Sequence, residues 1–150
     1  MWSLGQKNVR SVVVMSTMVS SILGRTNAEI LAWDSYVLSS PLATGYHQSG
    51  WRRVIEEAFG HPTYYLVVHG QDGALQGVLP LVLLASRGFG RFLVSLPFVN
   101  YGGVVASSAE AHRYLEARAV EQARELNVDH IELRHQVLMD TAWVATERKV

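Results

Sequence analysis

The feature that most constrains the fold is a pair of β-rich segments joined by a tight turn. Residues 64–69 are rich in aromatic and β-branched side chains, Gln71-Asp72-Gly73 has a hairpin-turn composition, and residues 75–84 are almost entirely apolar. A strand that is apolar on both faces needs cover on both faces. Pro80 lacks a donor for the ladder and predicts an edge position or a bulge. The hairpin therefore predicts a sheet covered on both sides.

Two helices are predicted by a capping box at their start. One covers residues 27–39 and ends before Pro41, and the other covers residues 108–126, followed by Asn127 as a left-handed C-cap. The capping residues are Thr26 with Glu29 in the first helix and Ser107 with Glu110 in the second.

A third helix is predicted at residues 50–59, with Ser49 as its N-cap. Its apolar residues recur at the i, i+3, i+4 spacing of a buried stripe, which predicts that Trp51 and Phe59 lie in the core. The stripe consists of Trp51, Val54, Ile55, Ala58 and Phe59.

Further strand signals complete an α+β chain. Strands are predicted at residues 92–96, 103–106 and 129–135, and a first strand at residues 11–16. The order predicts a mostly antiparallel sheet flanked by helices, with a β–helix–β crossover near the end. Residues 1–25 are interpreted as a leader with the first strand, and residues 26–150 as one domain.

The composition excludes several classes of protein. Thirteen basic and thirteen acidic residues give a net charge of zero, which argues against DNA as a partner. The absence of cysteine excludes disulfides and thiolate metal sites. No apolar run is long enough to cross a membrane, although residues 12–23, after Lys7 and Arg10, resemble a signal segment. Only 17% of residues are charged, which predicts an apolar patch covered by a partner, and self-association of the chain alone.

Sequence motifs for phosphates and metals are absent. No Walker lysine motif or G-x-G-x-x-G follows a strand, and Arg87-Gly88-Phe89-Gly90-Arg91 is either a flexible loop or an anion contact. The six histidines lack the spacing of metal ligands, so no metal is predicted, and any such site would have to be assembled by tertiary structure. No catalytic residue is assigned.

The loop of residues 97–103 is a candidate for substrate binding. It contains Asn100, Tyr101, Gly102 and Gly103. The glycines would either let exposed backbone N–H groups hold a carbonyl or carboxylate, or serve a turn that requires glycine conformations. Both alternatives remain open from the sequence.

The last predicted strand alternates in polarity. Ile131 and Leu133 point to one face, whereas Glu132 and Arg134 point to the other. The polar pair either orients a substrate in a cleft or forms a surface ion pair of little energetic value.

Seven short motifs in register resemble the N-terminal half of FemAB-like proteins, over roughly residues 33–135. The similarity is strongest to the bacterial branch associated with exosortase and PEP-CTERM sorting. The motifs are Trp33-Asp34, His47-Gln48-Ser49-Gly50-Trp51, Phe59-Gly60-His61, Gly77-Val78-Leu79-Pro80-Leu81, Ser95-Leu96-Pro97-Phe98, Tyr101-Gly102-Gly103 and Glu132-Leu133-Arg134.

The resemblance implies two tandem acetyltransferase-like (GNAT) folds, of which residues 26–150 would be the first, in a truncated chain. Better-known relatives transfer aminoacyl groups from tRNA to peptidoglycan precursors, and the first half is linked with the acceptor. It implies an envelope transferase in the cytoplasm, at the inner face of the membrane, whose partner is a second GNAT-like half or subunit. The acceptor is then a small molecule or cell-wall precursor.

The resemblance carries His47 and Trp51 into the set of substrate-binding candidates, beside the loop glycines, Tyr101 and Arg134. It implies no cofactor in this chain, because acyl-CoA or aminoacyl-tRNA would bind the second half. The glycine-rich donor signature of GNAT enzymes is missing before residues 108–126. Two alternatives remain: a stand-alone GNAT N-acetyltransferase that uses acetyl-CoA, and a non-catalytic binding module of the same fold.

Overall fold

The computed structural model describes residues 17–136. The strand predicted at residues 11–16 lies outside the described residues. The elements in chain order are β1 (Val19–Ile22), α1 (Asn27–Ser39), a 3-10 turn (Gly45–His47), α2 (Gly50–Ala58), β2 (Thr63–His69), β3 (Leu75–Ser86), β4 (Gly90–Ser95), β5 (Val105–Ala106), α3 (Ala109–Glu125) and β6 (His130–Glu132).

The strands form one sheet in the order β1-β2-β3-β4-β6, with β5 paired to β3 beyond the end of β4. Every pairing is antiparallel except that of β4 with β6, which is parallel. Parallel neighbours need a crossover, and α3 provides it. This confirms the predicted α+β fold with a mostly antiparallel sheet and one β–helix–β unit.

Strand β3 lies at the centre and is buried on both faces, as its apolar sequence predicts. Val78 and Val82 face a cluster that includes Trp33 of α1 and Ile55 of α2. Leu79, Leu81 and Leu83 face the opposite cluster, which includes Leu115 and Ala119 of α3. The chain's own helices therefore cover both faces of β3, so this strand does not supply the apolar patch that was expected to be covered by a partner.

Pro80 occupies neither of the positions predicted for it. It lies inside the central strand, paired with Tyr65 of β2. On the other side of β3, β4 pairs as far as Leu81 and β5 begins to pair at Val78. Pro80 thus falls where one neighbouring strand replaces another. The N–H groups along β3 point alternately to its two neighbours, and that of Leu83 points to β2. Position 80 therefore faces the other side, where β4 has ended and β5 has not begun, so no hydrogen-bond donor is needed there.

Helix α2 turns a different face to the sheet from the one predicted. Ile55 is its one buried apolar residue, whereas Phe59 is 50% exposed and Trp51 is half-buried. Arg52 explains the rotation: its guanidinium donates to the carbonyl oxygens of Leu23 and Gly24, at 3.0 and 2.9 Å. Because Arg52 bonds these two carbonyls, its side chain occupies the inner position that the apolar stripe was expected to fill. The predicted core positions of Trp51 and Phe59 are therefore wrong.

The other two helices follow their predictions closely. Helix α1 has the predicted bounds and the capping box of Thr26 and Glu29. Helix α3 is capped by Ser108 in place of Ser107, because the Ser108 hydroxyl accepts from the Ala111 N–H. Asn127 adopts the left-handed conformation predicted for it, with φ of 49°. Among the described residues, no helix is both long and apolar enough to span a membrane.

Candidate functional site

A pocket of about 310 Å³ opens beside the start of α3. Its wall includes His47, Tyr101, Gly102, Gly103, His112 and His135, and we call it the α3 pocket. The volume is at the lower end of the range typical of small-molecule sites. Residues from the 3-10 turn, the loop before β5, α3 and the segment after β6 therefore meet at one place.

The two glycines of the pocket wall are tied to the segment after β6. The N–H groups of Gly102 and Gly103 both donate to the Arg134 carbonyl oxygen, at 3.1 and 2.8 Å. A Cβ at Gly103 would lie 2.6 Å from Nδ1 of His135, and one at Gly102 would lie 2.5 Å from Cβ of Leu96. Glycine is required here for close approach, and these two amides are not free to hold a substrate carboxylate, contrary to the first of the two alternatives.

The loop between β4 and β5 has strained backbone. Leu96 and Phe98 have φ angles of 45° and 76°, a region of backbone conformation that residues other than glycine rarely adopt. Phe98 is largely exposed and stacks on Phe59 with the ring centroids 4.7 Å apart. Strain of this kind persists only where the surroundings over-determine it, and it concentrates at functional sites.

Arg134 fixes this loop by hydrogen bonds. Its Nη1 donates to the Val99 carbonyl at 2.9 Å, its Nε donates to Oε1 of Glu132 at 2.7 Å, and its own N–H donates to Oγ of Ser95 at 2.8 Å. Neither Glu132 nor Arg134 is part of the pocket wall. The polar pair thus holds the loop, and its predicted role in orienting a substrate stays a prediction.

His47 links the 3-10 turn to the pocket. The Thr44 N–H donates to Nδ1 of His47 at 3.1 Å, so Nδ1 is the acceptor nitrogen and Nε2 carries the proton that is donated to the Gly103 carbonyl at 3.0 Å. The Trp33 indole donates to the His47 carbonyl at 2.7 Å. Burial lowers the pKa of His47 below its usual value, against the opposing effect of its hydrogen bonds to Gly103 and Thr44. The ring is therefore neutral at pH 7.

Asp34 and Ser49 form the neighbouring link. The Ser49 N–H and hydroxyl both donate to the Asp34 carboxylate, each at 2.7 Å. Ser49 stands at the N-cap position of α2, but its side chain makes no capping bond. The predicted cap is wrong in this respect, because the hydroxyl is engaged with α1.

A second group of titratable side chains meets at the α3 pocket. Nε2 of His112 and Nε2 of His135 lie 3.2 and 3.4 Å from Oε1 of Glu116. Burial and the neighbouring His112 lower the pKa of His135 to about 4. The motifs quoted above do not include this group. The i, i+4 spacing of His112 and Glu116 on one helix face was its one visible signal, because His135 arrives from a distant segment.

The eight predicted site residues thus divide into two sets. His47, Tyr101, Gly102 and Gly103 lie on the pocket wall. The other four lie outside it: Asn100, Trp51, Glu132 and Arg134. Trp51 packs beside Tyr46 on the outer side of α2, with ring centroids 5.4 Å apart. Substrate binding by these eight residues stays a prediction.

The arginine–glycine loop between β3 and β4 is used internally at its far end. The Arg91 guanidinium donates to the Leu126 carbonyl at 3.1 Å, and the Arg91 N–H donates to Oδ2 of Asp129 at 2.9 Å. Arg91 therefore secures the C-terminal end of α3, which satisfies one of the carbonyls that a helix end leaves free.

No protein-family model and no curated protein matches the chain. Solved structures do match. A GNAT family acetyltransferase from Staphylococcus aureus aligns with 89% of this chain and 100% of its own, at 14% identity and a TM-score of 0.54. An acetyltransferase from Trypanosoma brucei aligns with 89% of this chain and 96% of its own, at 14% identity and a TM-score of 0.54. At such identities the likeness concerns the fold, and the fold of this chain is that of the GNAT acetyltransferases.

Proposed function

We propose that this chain is the acceptor-side unit of an acyl or aminoacyl transferase of the FemAB-like type. The observation that carries the proposal is a chain of hydrogen bonds that joins four of the motifs at the wall of the α3 pocket. The Trp33 indole donates to the His47 carbonyl, and the His47 ring donates to the Gly103 carbonyl. The Gly103 N–H donates in turn to the Arg134 carbonyl. Motifs that are far apart in the sequence therefore support one wall, as expected if their common purpose is a binding site.

The chemistry of the pocket favours an acceptor over a coenzyme. Within residues 17–136, the lining residues include no lysine or arginine. The pyrophosphate of acetyl-CoA needs cationic side chains or free backbone N–H groups at a helix start. At the start of α3, the Ala111 and His112 N–H groups already donate to Ser108, which leaves only those of Ala109 and Glu110, and the Gly102 and Gly103 amides already donate to Arg134. The exposed Tyr101 hydroxyl on the wall suits hydrogen bonding to a neutral polar acceptor.

In this account the acyl donor, acyl-CoA or aminoacyl-tRNA, binds a second GNAT-like half or subunit. The acceptor is an amine-bearing small molecule or cell-wall precursor in the cytoplasm, at the inner face of the membrane. The residues expected to contact it are Tyr101 and the loop beside it, which includes Asn100. Further candidate acceptors to test are those expected for the exosortase-associated branch that the chain resembles.

The direct test is acceptor binding by saturation-transfer NMR, with a cell-wall stem pentapeptide as the probe. Tyr101 is 44% exposed, so Tyr101→Ala removes a wall group at little cost to folding. Phe89→Ala is the matched control, because Phe89 is 84% exposed in the turn between β3 and β4 and outside the pocket. The proposal predicts saturation transfer to the peptide that Tyr101→Ala abolishes and Phe89→Ala preserves. Equal signals in both variants, or no signal in the wild type, would contradict it.

The second candidate is a stand-alone acetyltransferase that uses acetyl-CoA. The observation in its favour is that the Staphylococcus aureus acetyltransferase aligns over its whole length with this one chain. Tight binding of acetyl-CoA would favour this candidate over the first. A non-catalytic binding module would bind the peptide without supporting transfer when any acyl donor and a second unit are supplied.

A further inference from the structure

The cluster of His112, Glu116 and His135 has the composition and the spacing of a metal site. His112 and Glu116 stand one turn apart on α3, and His135 follows β6. Each side chain offers one ligand atom, and the three atoms lie within 4.8 Å of one another. Two imidazoles and one carboxylate form a ligand set that binds Zn²⁺ and other divalent transition metals in proteins.

The distances fit a tetrahedral ion. Nitrogen and oxygen ligands about 2.0–2.1 Å from Zn²⁺ stand about 3.3 Å apart when the angles are tetrahedral. The separations of Glu116 Oε1 from Nε2 of His112 and from Nε2 of His135 are 3.2 and 3.4 Å. The two imidazole rings are adjacent, with centroids 5.1 Å apart, so only a small closure brings all three atoms around one centre.

The environment is one in which a cation is favourable. The side chains of Glu116, His112 and His135 are 8%, 10% and 15% exposed. Within residues 17–136, the two imidazoles are the only groups within 4.0 Å of the Glu116 carboxylate that can carry a positive charge. A buried carboxylate is costly unless a cation compensates it, and a divalent ion would supply that charge.

We propose that His112, Glu116 and His135 bind one divalent transition-metal ion, with Zn²⁺ as the reference ion. His112 and His135 also line the α3 pocket, so the remaining coordination position faces the pocket and is open to water or to a ligand. An open fourth position distinguishes a reactive zinc site from a closed structural one. Mg²⁺ prefers six oxygen ligands and should not compete. The proposal goes beyond transferase activity and does not depend on it.

The test uses the full chain, freed of metal by a chelator and then titrated with Zn²⁺ against a chromophoric indicator. We expect one Zn²⁺ per chain. The near-isosteric Glu116→Gln and His135→Gln variants should bind it about 100-fold or more weakly, since even outer-shell changes cost 10–100-fold. His130→Gln is the control, because His130 is an exposed imidazole at the start of β6 and should leave binding unchanged. Circular dichroism verifies that each variant folds.

Co²⁺ gives a readout that needs no variant. A tetrahedral Co²⁺ site absorbs visible light strongly, whereas Co²⁺ bound loosely at surface histidines stays close to octahedral and absorbs weakly. We expect one equivalent of the strong visible spectrum, displaced by Zn²⁺ and unaffected by excess Mg²⁺. Absence of that spectrum in the wild type, or Zn²⁺ binding equal in the wild type and Glu116→Gln, would overturn the proposal. Neither result bears on acceptor binding, which is measured separately.

Discussion

Nε2 of His47 lies 3.0 Å from the carbonyl oxygen of Gly103, a residue 56 positions further along the chain. The same ring accepts the Thr44 N–H, and both nitrogens are therefore used inside the protein. His47 is 3% exposed. Although it borders the pocket, its geometry makes it a buried strut between the 3-10 turn and the loop before β5.

Removing this strut should destabilise the fold. His47→Ala leaves the Gly103 carbonyl and the Thr44 N–H without their partner, and each unsatisfied buried group costs about 1–3 kcal/mol. We expect the free energy of unfolding to fall by about 2–4 kcal/mol in urea denaturation. The exposed His130→Ala should change it by less than about 0.5 kcal/mol. Equal effects of the two substitutions would show that the strut contributes nothing.

The stability should also depend on pH through His47. Because its folded pKa is lowered from 6.5, the unfolded chain binds a proton below pH 6.5 that the folded chain does not. The free energy of unfolding should therefore fall as the pH drops from 6.5 towards the folded pKa, and level off below it. The His47→Gln variant lacks the part of this pH dependence that comes from His47. Urea denaturation across that range should give a shallower pH dependence for His47→Gln, and parallel curves would refute the assignment.

Gly103→Ala should disturb both the stability and the pocket. Its Cβ would approach Nδ1 of His135 to 2.6 Å and the Arg134 carbonyl oxygen to 2.9 Å, and the latter is backbone that cannot swing away. Overpacking of this kind costs about 1–3 kcal/mol. Gly88→Ala is the matched control, because nothing lies within 4 Å of its Cβ position. Thermal unfolding should show a lower Tm for Gly103→Ala alone; a Tm equal to that of Gly88→Ala would mean that the loop adapts freely.

Truncating the apolar residues on the two sides of α2 should lower the free energy of unfolding by very different amounts. Ile55 is 2% exposed inside the core, so Ile55→Ala should cost about 2–5 kcal/mol. Phe59 is 50% exposed, and Phe59→Ala should cost only about 1 kcal/mol despite removing a larger side chain. Chemical denaturation of both variants measures the difference. A larger loss for Phe59→Ala would restore the original prediction of a buried stripe.

Elements with strong local signals could be predicted from the sequence. The capping box of Thr26 and Glu29 and the stop at Pro41 set both ends of α1, and the burial of β3 on both faces followed from its apolar composition. The inner face of α2 could not be predicted by periodicity, since it depends on two carbonyls of the preceding segment that Arg52 satisfies. Tertiary hydrogen bonds there outweigh the pattern of apolar residues.

The site was predictable only in part. The glycines at 102 and 103 indicated a loop that borders the α3 pocket, but their amides donate to Arg134, which no local pattern indicates. His135 reaches His112 and Glu116 only because β6 pairs in parallel with β4, a register that depends on the whole crossover. Spacing along one helix could identify the pair on α3 and nothing more.

Calorimetric titration of the chain with acetyl-CoA decides whether the chain is an acceptor-side unit, because such a unit should not bind the donor. We expect no heat beyond that of dilution, since the Gly102 and Gly103 amides are occupied and the pocket wall formed by the described residues carries no lysine or arginine. A dissociation constant in the low-micromolar range, equivalent to about −8 kcal/mol, would contradict this and favour the stand-alone acetyltransferase.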